Sequence, residues 1–298
     1  MPILRPLVGV EAIMNFPAPL LGLAIGDALG MPFETAPRSR PDLLDWDGRS
    51  FRNSDDYHGL NPGQWTDDTQ MSLALSRTLI EHQQYVPEAA ALAYRQWFEG
   101  DCRGIGGSTK RAMEKLCRGV PWTESGTPGA EGNGTAMRAA PFGAFYRYDP
   151  KLAGNMAVLD AGISHPTTEA REGSRAVAVA VALLCYGVGK TSMLPRVLEQ
   201  VQASKVRSVL ANLQCPESSV SPHVVETVNA AFFAFLNTAN FSDAVEMAIR
   251  FGGDTDSVAS ITGALAGAHY GYMSLPKDLL GQLEGADEIH DLNLGLLE

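Results

Sequence analysis

Three glycines at four-residue spacing, Gly22, Gly26 and Gly30, restrict the fold of this chain more than any other sequence feature. They lie in an apolar segment that predicts a helix over residues 19–30, and residues four apart in a helix share one face. Glycine lowers the stability of a helix because its backbone loses more freedom on folding. Three glycines along one face therefore predict close backbone contact with a neighbouring element.

The remaining periodicity is also helical. Met71, Leu75 and Leu79 recur every fourth position and predict a helix over residues 67–82. Residues 176–184 alternate like a strand, but alanine is a poor strand former, and the preceding charged residues fit the first turns of a helix over 168–187. Further helices are predicted at residues 86–98, 108–117, near 135, 193–211, 222–237, 241–250, 256–270 and 275–283, with loops at 32–64 and 119–134.

No segment has the pattern of a convincing strand, so the predicted class is all-α. No linker or compositional break divides the chain, and we expect a single domain over residues 1–298. The length and the 45% hydrophobic content suffice for a large core. The net charge of -11 excludes a basic nucleic-acid-binding face as the main surface.

The sequence shows no clear targeting signal or membrane-spanning segment. Its start lacks the continuous apolar region of a signal peptide. The longest apolar stretch, 176–189, has about 14 residues, below the roughly 20 that a membrane-spanning helix needs. The four cysteines form no C-x-x-C pair that would indicate zinc or redox chemistry. We expect a cytoplasmic protein with reduced thiols and no membrane contact.

Two short segments each place paired carboxylates and a hydroxyl at the start of an apolar helix. They are Thr66-Asp67-Asp68 and Asp254-Thr255-Asp256-Ser257. Ordinary N-capping would use one such side chain per helix, and paired carboxylates exceed that need. Oxygen donors without interleaved histidine or cysteine suit magnesium, calcium or manganese better than zinc. If the two helix starts converge, their aspartates would need cations, which predicts a two-metal site.

Two glycine-rich segments are candidate phosphate cradles. Asn133 and Gly134 precede a predicted helix and can expose backbone N–H groups to an anion, while Arg138 can pair with a carboxylate or a phosphate. The alternative is a plain turn with a surface arginine. Gly106 and Ser108 belong to the second segment, residues 104–110, which is either another phosphate cradle or a capped loop.

Two further residues have open interpretations. His165 lies in a turn before the helix predicted at 168–187, and a lone histidine is more often structural than catalytic. Glu34 ends an apolar stretch and is either a surface residue or an acid near the metals.

Five stretches together resemble the ADP-ribosylglycohydrolase family, which includes the ADP-ribosyl-acceptor hydrolases and the dinitrogenase reductase-activating glycohydrolase. In the family's order they are GLAIGDALGMPFE (22–34), GQWTDDTQMSLAL (63–75), GNGTAMRAAPFG (132–143), SHPTTEA (164–170) and GGDTDSVASITGALAGAHYG (252–271). The resemblance implies a compact, single-domain orthogonal helical bundle. It also implies a binuclear magnesium centre, with manganese as an alternative metal.

The family's motifs carry over to this chain residue by residue. The ligands that the resemblance implies for the two magnesium ions are Thr66, Asp67, Asp68, Asp254, Asp256 and Ser257. Ser257 stands where the family usually has threonine, and serine keeps the hydroxyl oxygen. The substrate-binding residues implied by the resemblance are Asn133, Gly134, Met137 and His165. Glu34 matches an acid beside the metals, and we expect Glu34, Asp68 and Asp256 to take part in catalysis.

One stretch departs from the family pattern. Some bacterial relatives carry Asp-x-Gly before the helix predicted at 108–117, and that aspartate is implicated in catalysis. The matching residues here are Gly104-Ile105-Gly106, so the carboxylate is missing. Asp101, three residues earlier, is a candidate substitute.

The expected function is hydrolysis of the glycosidic bond between ADP-ribose and an acceptor, such as a modified arginine side chain or a small molecule. Two alternatives stay open. One is a catalytically weak or structural relative that binds ADP-ribose, and the other is a metal-dependent nucleotide phosphohydrolase. No motif identifies the acceptor or the oligomeric state, for which a monomer is the expectation.

Overall fold

The computed structural model describes residues 15–40, 43, 45–53 and 59–298. Over these residues it contains fifteen α-helices and two short 3₁₀ segments, Met31–Phe33 and Tyr272–Ser274. The α-helices, numbered in chain order, are α1 Pro19–Gly30, α2 Asp67–His82, α3 Pro87–Glu99, α4 Gly107–Cys117, α5 Trp122–Ser125, α6 Ala140–Phe145, α7 Pro150–Ala161, α8 Thr168–Cys185, α9 Lys190–Gln200, α10 Lys205–Ala211, α11 Val224–Leu236, α12 Phe241–Arg250, α13 Thr255–Tyr270, α14 Lys277–Leu280 and α15 Ala286–Leu296. No strand occurs among the described residues, where extended backbone pairs only in isolated bridges. The predicted all-α class is confirmed.

Helix α1 lies along helix α13 in the core, and the glycine face of α1 is the contact surface. A Cβ atom added at Gly22, Gly26 or Gly30 would overlap the backbone of α13. Helix α13 contributes Gly263 and Gly267, where an added Cβ would overlap the backbone of α1 or of the residue before it. The close contact predicted from the glycine spacing is confirmed.

Helix α8 is the second buried element, and helices α6, α7, α9 and α13 pack against it. Its residues 176–182 are fully buried. The Thr167 hydroxyl caps it by accepting the Ala170 backbone N–H at 3.4 Å. The alternation of alanine and valine therefore belongs to a helix that is buried on all sides. The choice of helix over strand in this segment is confirmed.

The helix predicted over 193–211 is in fact two helices, α9 and α10. They are separated at 201–204, where Ser204 adopts an extended conformation and its hydroxyl accepts a backbone N–H three residues further on at 3.1 Å. The break is stabilised from α8, because the Glu172 carboxylate accepts the Gln202 backbone N–H at 2.8 Å. Local periodicity cannot reveal such a contact between distant segments.

The prediction of a helix near residue 135 is wrong. Residues 135–138 form turns, and α6 begins only at Ala140. The Arg138 guanidinium donates to the Gly134 carbonyl oxygen at 2.7 Å and so occupies an acceptor that a helix would use for its own backbone. The helix predicted over 275–283 is also shorter and comprises only α14.

The N-termini of α2, α4 and α13 face one common cleft. The loop between α12 and α13 reaches that cleft between two extended segments, with isolated bridges at Ala36–Gly253 and Val220–Gly253. In the described part of the chain, no helix is both long enough and apolar enough to span a bilayer.

Candidate metal centre and active-site cleft

A cleft of about 630 Å³ lies where the N-termini of α2, α4 and α13 meet the loops before α6 and α11. The sequence-predicted residues that line it are Glu34, Asp67, Asp68, Gly106, Ser108, Asn133, Gly134, Met137, His165, Asp254, Asp256 and Ser257. Thr66 is the one predicted site residue outside this lining. The two acidic helix starts, distant in sequence, meet in this cleft, so the condition on which the two-metal prediction depends is met.

The start of α13 depends on two glycines, Gly252 and Gly253, whose φ angles are 70° and 83°. This left-handed conformation suits glycine, which has no Cβ. Gly253 bridges Ala36 on one side and Val220 on the other, and a Cβ at Gly253 would overlap Val220. The next residue, Asp254, donates its backbone N–H to the Val220 carbonyl oxygen at 2.9 Å. The glycine pair thus sets the position from which Asp254 enters the cleft.

The start of α2 is organised by Asp27, a fully buried carboxylate on α1. The backbone N–H and hydroxyl groups of Thr66 and Thr69 donate to it at distances from 2.6 to 3.1 Å. Burial raises the pKa of Asp27 to about 6, although these hydrogen bonds act in the opposite direction. The Thr66 hydroxyl proton is engaged with Asp27, while its oxygen keeps lone pairs for a metal ion. A side chain of another helix therefore caps α2 and orients Asp67 and Asp68.

Carboxylates from three segments meet on the floor of the cleft. Carboxylate oxygens of Glu34, Asp254 and Asp256 lie within 4.8 Å of one another. The Ser257 hydroxyl donates to Asp68 Oδ2 at 3.3 Å and so links the start of α13 to the start of α2. The group is mostly buried, and Asp68 and Asp256 are only 1% and 4% exposed.

These carboxylates repel one another at such short range. The pKa values of Asp67, Asp68 and Asp256 are raised well above the usual range. Burial is the largest cause, and the charges of neighbouring carboxylates add to it. Burial and the charge of Glu34 raise the pKa of Asp254 to about 6. Divalent cations stabilise a cluster that resists ionisation in this way.

The donors also fit a hard divalent cation. Asp68 Oδ1 is buried and has no hydrogen-bond partner among the described residues. Leaving a buried acceptor of this kind without a partner destabilises the fold, and a bound ion would supply the partner. The donors of the cluster are carboxylate and hydroxyl oxygens, which magnesium and manganese prefer. The residues present therefore suit the metals that the sequence predicts.

Glu34 is held next to a strained backbone position. Thr35 has a φ of 64°, in a region that β-branched residues rarely adopt. Its N–H donates to the Gly253 carbonyl oxygen at 2.7 Å, while the Glu34 N–H donates to the Met31 carbonyl oxygen at 3.2 Å. Strain persists where the surroundings impose it. The segment after Glu34 is thus tied to the loop that carries Asp254.

The opposite wall is connected to the acidic cluster by Asn133 and Met137. The Asn133 amide donates to the Asp254 carboxylate and, at 2.9 Å, to the Thr227 hydroxyl. Met137 Sδ lies 4.0 Å from the Ser257 hydroxyl oxygen. The glycine-flanked loop that the sequence assigns to substrate binding therefore also supports the proposed metal ligands.

His165 is buried against the same loop. A Cβ added at Gly134 would lie 2.9 Å from His165 Cε1, and the Ser164 hydroxyl oxygen is 2.9 Å from Nδ1. Burial, assisted by the charges of Arg138 and Arg111, lowers the pKa of His165 to about 3. The imidazole is therefore neutral near pH 7 and offers the cleft a hydrogen-bonding group without a charge.

The N-terminus of α4 forms a further part of the wall. Gly106 is its N-cap residue, Ser108 lies in its first turn, and that turn contains no acidic residue. The first N–H groups of a helix lack partners within it and favour anions. This geometry suits a phosphate-bearing ligand.

Two residues considered from the sequence stay outside the cleft. Arg138 is fully buried and pairs with Asp160 at 2.9 Å, so it has the carboxylate partner that the sequence allowed and is not a surface arginine. The Asp101 carboxylate is 76% exposed and pairs with Arg103 at 2.9 Å. Asp101 does not line the cleft, and it does not replace the carboxylate missing at Gly104.

Two features of the site escaped the sequence analysis. Asp27 had a usable signal, since it is the one charged residue of an otherwise apolar, glycine-rich helix. Glu131 and His223 form a pair on the rim, with Oε2 and Nε2 at 2.9 Å, and both line the cleft. They are 92 positions apart, and neither lies in a pattern that indicates the other.

Comparison with known proteins gives consistent matches. A family model described as ADP-ribosylglycohydrolase matches residues 16–298. An ADP-ribosylarginine hydrolase of Pseudomonas putida is 31% identical, over 95% of this chain and 77% of that protein. One from Serratia proteamaculans is 33% identical, over 95% of this chain and 78% of that protein. A solved structure described as an ADP-ribosylglycohydrolase-related protein complex superposes with a TM-score of 0.82 at 30% identity, covering 94% of this chain and 95% of that chain.

Proposed function

Because this chain belongs to the ADP-ribosylglycohydrolase family, and so is a glycohydrolase that acts on ADP-ribosyl groups, we propose a magnesium-dependent hydrolase that releases ADP-ribose from modified arginine. Manganese is an alternative metal. One observation carries the proposal: the acidic starts of α2 and α13 share one cleft with the anion-favouring N-terminus of α4.

The ligands that we assign to two divalent ions are Thr66, Asp67, Asp68, Asp254, Asp256 and Ser257. Such ions, when bound, lower the pKa of a coordinated water and stabilise negative charge. In the proposed reaction, water attacks the anomeric carbon of the ribose as the bond to the arginine nitrogen breaks, and the departing nitrogen takes up the proton that the water loses. We assign Glu34 to accept the proton of the attacking water, since its carboxylate lies beside those of Asp254 and Asp256.

The diphosphate is assigned to the opposite side of the cleft. The first turn of α4, with Gly106 and Ser108, offers backbone N–H groups to an anion. Gly134 lies next to this turn, since a Cβ added there would be 3.0 Å from the Thr109 hydroxyl oxygen, and neutral His165 beside it offers a hydrogen bond to ribose. This division assigns the charged diphosphate to the N–H groups of α4 and leaves the carboxylates of the floor to the metal ions.

The charge of the cleft favours a cationic acceptor. The carboxylates that line it are Glu34, Asp67, Asp68, Glu131, Asp254 and Asp256, and no lysine or arginine belongs to the described lining. Two divalent ions would offset four of these six negative charges, and the diphosphate of the ligand would bring further negative charge. A guanidinium group is then attracted where a neutral serine is not. The arginine hydrolases among the relatives agree with this preference.

The test is turnover of ADP-ribosylated arginine, serine and nucleobase substrates, with and without magnesium, and with free ADP-ribose as the measured product. We expect ADP-ribose from the arginine substrate, and its loss when a chelator removes magnesium. Production of AMP would show pyrophosphate cleavage and contradict the proposal. Tight binding of ADP-ribose without turnover of any substrate would identify a binding protein instead.

Matched variants test the ligand assignment. We expect Asp68→Asn and Asp256→Asn to abolish turnover, because each removes an anionic oxygen from the cluster. Asp278→Asn, at an exposed position, is the control and should keep the activity of the unchanged protein. A folded Asp68→Asn or Asp256→Asn variant with near-native rates would overturn the assignment.

A further inference from the structure

The loop between α3 and α4 lines the cleft, and its own residues fix it only in part: Ile105 packs against the core, and the Ser108 carbonyl oxygen accepts the Thr127 hydroxyl at 2.9 Å. Gly104 has a φ of 72°, and a Cβ added at Gly106 would meet no atom within 4 Å. Residues 104–108 nevertheless form one wall of the cleft. Because the glycines add no side-chain contact, the placement of this wall also depends on the residues that precede them.

Gln70 of α2 binds the segment just before these glycines. Its Nε2 donates to the Asp101 carbonyl oxygen at 2.5 Å, and its Oε1 accepts the Arg103 backbone N–H at 3.0 Å. The same Oε1 accepts the Trp97 indole N–H at 2.7 Å. Gln70 lies three residues after Asp67 on one helix. One side chain thus connects the acidic helix start to the loop across the cleft.

Arg103 anchors the same segment from the other side. Its guanidinium pairs with the Glu284 carboxylate at 2.6 Å and lies over the Trp65 ring, 5.3 Å from the ring centroid. Trp65 Nε1 donates to the Glu284 carbonyl oxygen at 2.9 Å, and Gln64 Nε2 donates to its carboxylate at 3.0 Å. The Arg103 side chain is only 17% exposed. The residues before α2, those before the glycine loop and the turn at 284 therefore form one network.

Neither Gln70 nor Arg103 lines the cleft. We propose that both are positioning residues, which set the distance between the glycine loop 104–107 and the carboxylates of Asp67 and Asp68. The inference rests on the proposed function, since it takes ADP-ribose as the ligand that spans this distance. Displacing a group that binds the diphosphate weakens ligand binding, even when the reacting groups keep their places.

Gln70→Met and Arg103→Met test the inference, because methionine removes the polar groups and keeps much of the side-chain length. We expect the KM for ADP-ribosylated arginine and the Kd for free ADP-ribose each to rise about tenfold, with kcat changed by less than about threefold. Glu284→Gln keeps the shape of a side chain that is 35% exposed and removes its charge. Glu284→Gln should also raise KM and Kd. It provides a second test if a methionine variant does not fold.

Arg77→Met is the matched control. Arg77 lies on the same helix and pairs with Glu288 at 2.5 Å on the surface, where the side chains are 50% and 57% exposed. It should leave KM, Kd and Tm unchanged. If KM and Kd in the Gln70, Arg103 and Glu284 variants stay within about twofold of the unchanged protein, the positioning role is wrong. The same conclusion follows if they change only in step with a fall in Tm. An unchanged protein that neither binds nor releases ADP-ribose would contradict the proposed function itself.

Discussion

Asp27 shows how one buried carboxylate organises an active site without facing it. Four donors, the N–H and hydroxyl groups of Thr66 and Thr69, converge on it. All three residues are fully buried, so water cannot replace a lost acceptor. The first turn of α2, and with it the direction of Asp67 and Asp68, depends on this single side chain.

Asp27→Asn should lower the free energy of unfolding by about 2–4 kcal/mol and strongly reduce turnover. The amide has one acceptor oxygen, and its NH₂ group would face donors of Thr66 and Thr69. Urea unfolding at pH 7 measures the change, with exposed Asp278→Asn expected within about 0.5 kcal/mol of the unchanged protein. Equal stability of both variants would show that α2 does not rely on Asp27.

His165 makes the stability of the fold depend on pH. Its ordinary pKa is 6.5, and burial together with Arg138 and Arg111 lowers the pKa to about 3. Above pH 6.5 the imidazole is neutral in both the folded and the unfolded chain. Below that, the unfolded chain binds a proton that the folded chain does not bind until about pH 3. The contribution of His165 to stability is therefore lost as pH falls from 6.5 toward 3.

We expect His165→Asn to remove this dependence, by at most about 1.4 kcal/mol for each pH unit below 6.5. Asparagine can keep a hydrogen bond to Ser164 and does not titrate. The measurement is the difference in unfolding free energy between pH 7 and pH 5 in the two proteins. Comparing the two proteins cancels the contribution of the carboxylates, which also titrate in this pH range and are the same in both. Identical pH dependence would mean that His165 is protonated in the folded state.

At the scale of elements, the pairing of α1 with α13 brings the segments that carry the proposed metal ligands to one place. Helix α13 begins with the acidic segment, and α1 carries Asp27, which caps α2. The three helices are therefore connected through contacts that leave little room for adjustment. The glycine face of α1 sets how closely α13 approaches it.

Gly26→Ala should destabilise the fold by about 2–4 kcal/mol, because its methyl group would overlap the Ala259 carbonyl oxygen. Thermal unfolding, followed by circular dichroism, measures the effect. Gly281→Ala is the control, since Gly281 has helical angles of φ -70° and ψ -14° and an added Cβ would meet only ordinary contacts. It should be neutral or slightly stabilising. A Gly26→Ala variant as stable as this control would contradict the close contact.

The sequence predicted most long helices because their apolar residues recur at helical spacing, but it missed α7 and α15. For α7 a signal was present: Asp149 caps the helix by accepting the Leu152 N–H at 3.0 Å, and Pro150 occupies the first position. Helix α15 buries Asn293, whose side chain binds the Leu20 N–H and the Pro17 carbonyl oxygen, both at 3.0 Å. A polar residue on the buried face conceals the apolar periodicity of such a helix.

At the scale of the whole molecule, the proposed metal site predicts that metal binding is coupled to folding. Its ligands come from segments more than 180 positions apart, so the unfolded chain cannot present them together. Magnesium or manganese should raise Tm by about 5 °C or more at concentrations well above Kd. Thermal scans in a chelator, and then with added magnesium, measure this shift. Sodium chloride at equal ionic strength controls for general screening.

Asp68→Asn sharpens this prediction. In the presence of a chelator the variant should be at least as stable as the unchanged protein, because one of several crowded carboxylates is gone. With magnesium it should gain less, because a ligand is missing. If the Tm of the unchanged protein is the same with and without divalent ions, the two-metal assignment is contradicted.

The sequence by itself determined the helical class, the contact face of α1 and most residues of the cleft. These follow from local rules, because periodicity defines a buried helical face, and adjacent carboxylates exceed the needs of a cap. The convergence of Thr66-Asp67-Asp68 with Asp254 and Asp256 was predictable only as a condition, since spacing along a chain does not measure distance in space.

Only the tertiary structure decided which contacts hold these residues in place. The capping of α2 by Asp27, the pairing of Glu131 with His223 and the anchoring of the glycine loop by Gln70 all join segments distant in sequence. The sequence marks Asp27 as unusual in an apolar helix, but no local pattern identifies the partner of any of these side chains. Packing of the whole chain brings the partners together, and at buried Asp27, which water does not reach, the carboxylate must find its donors within the protein.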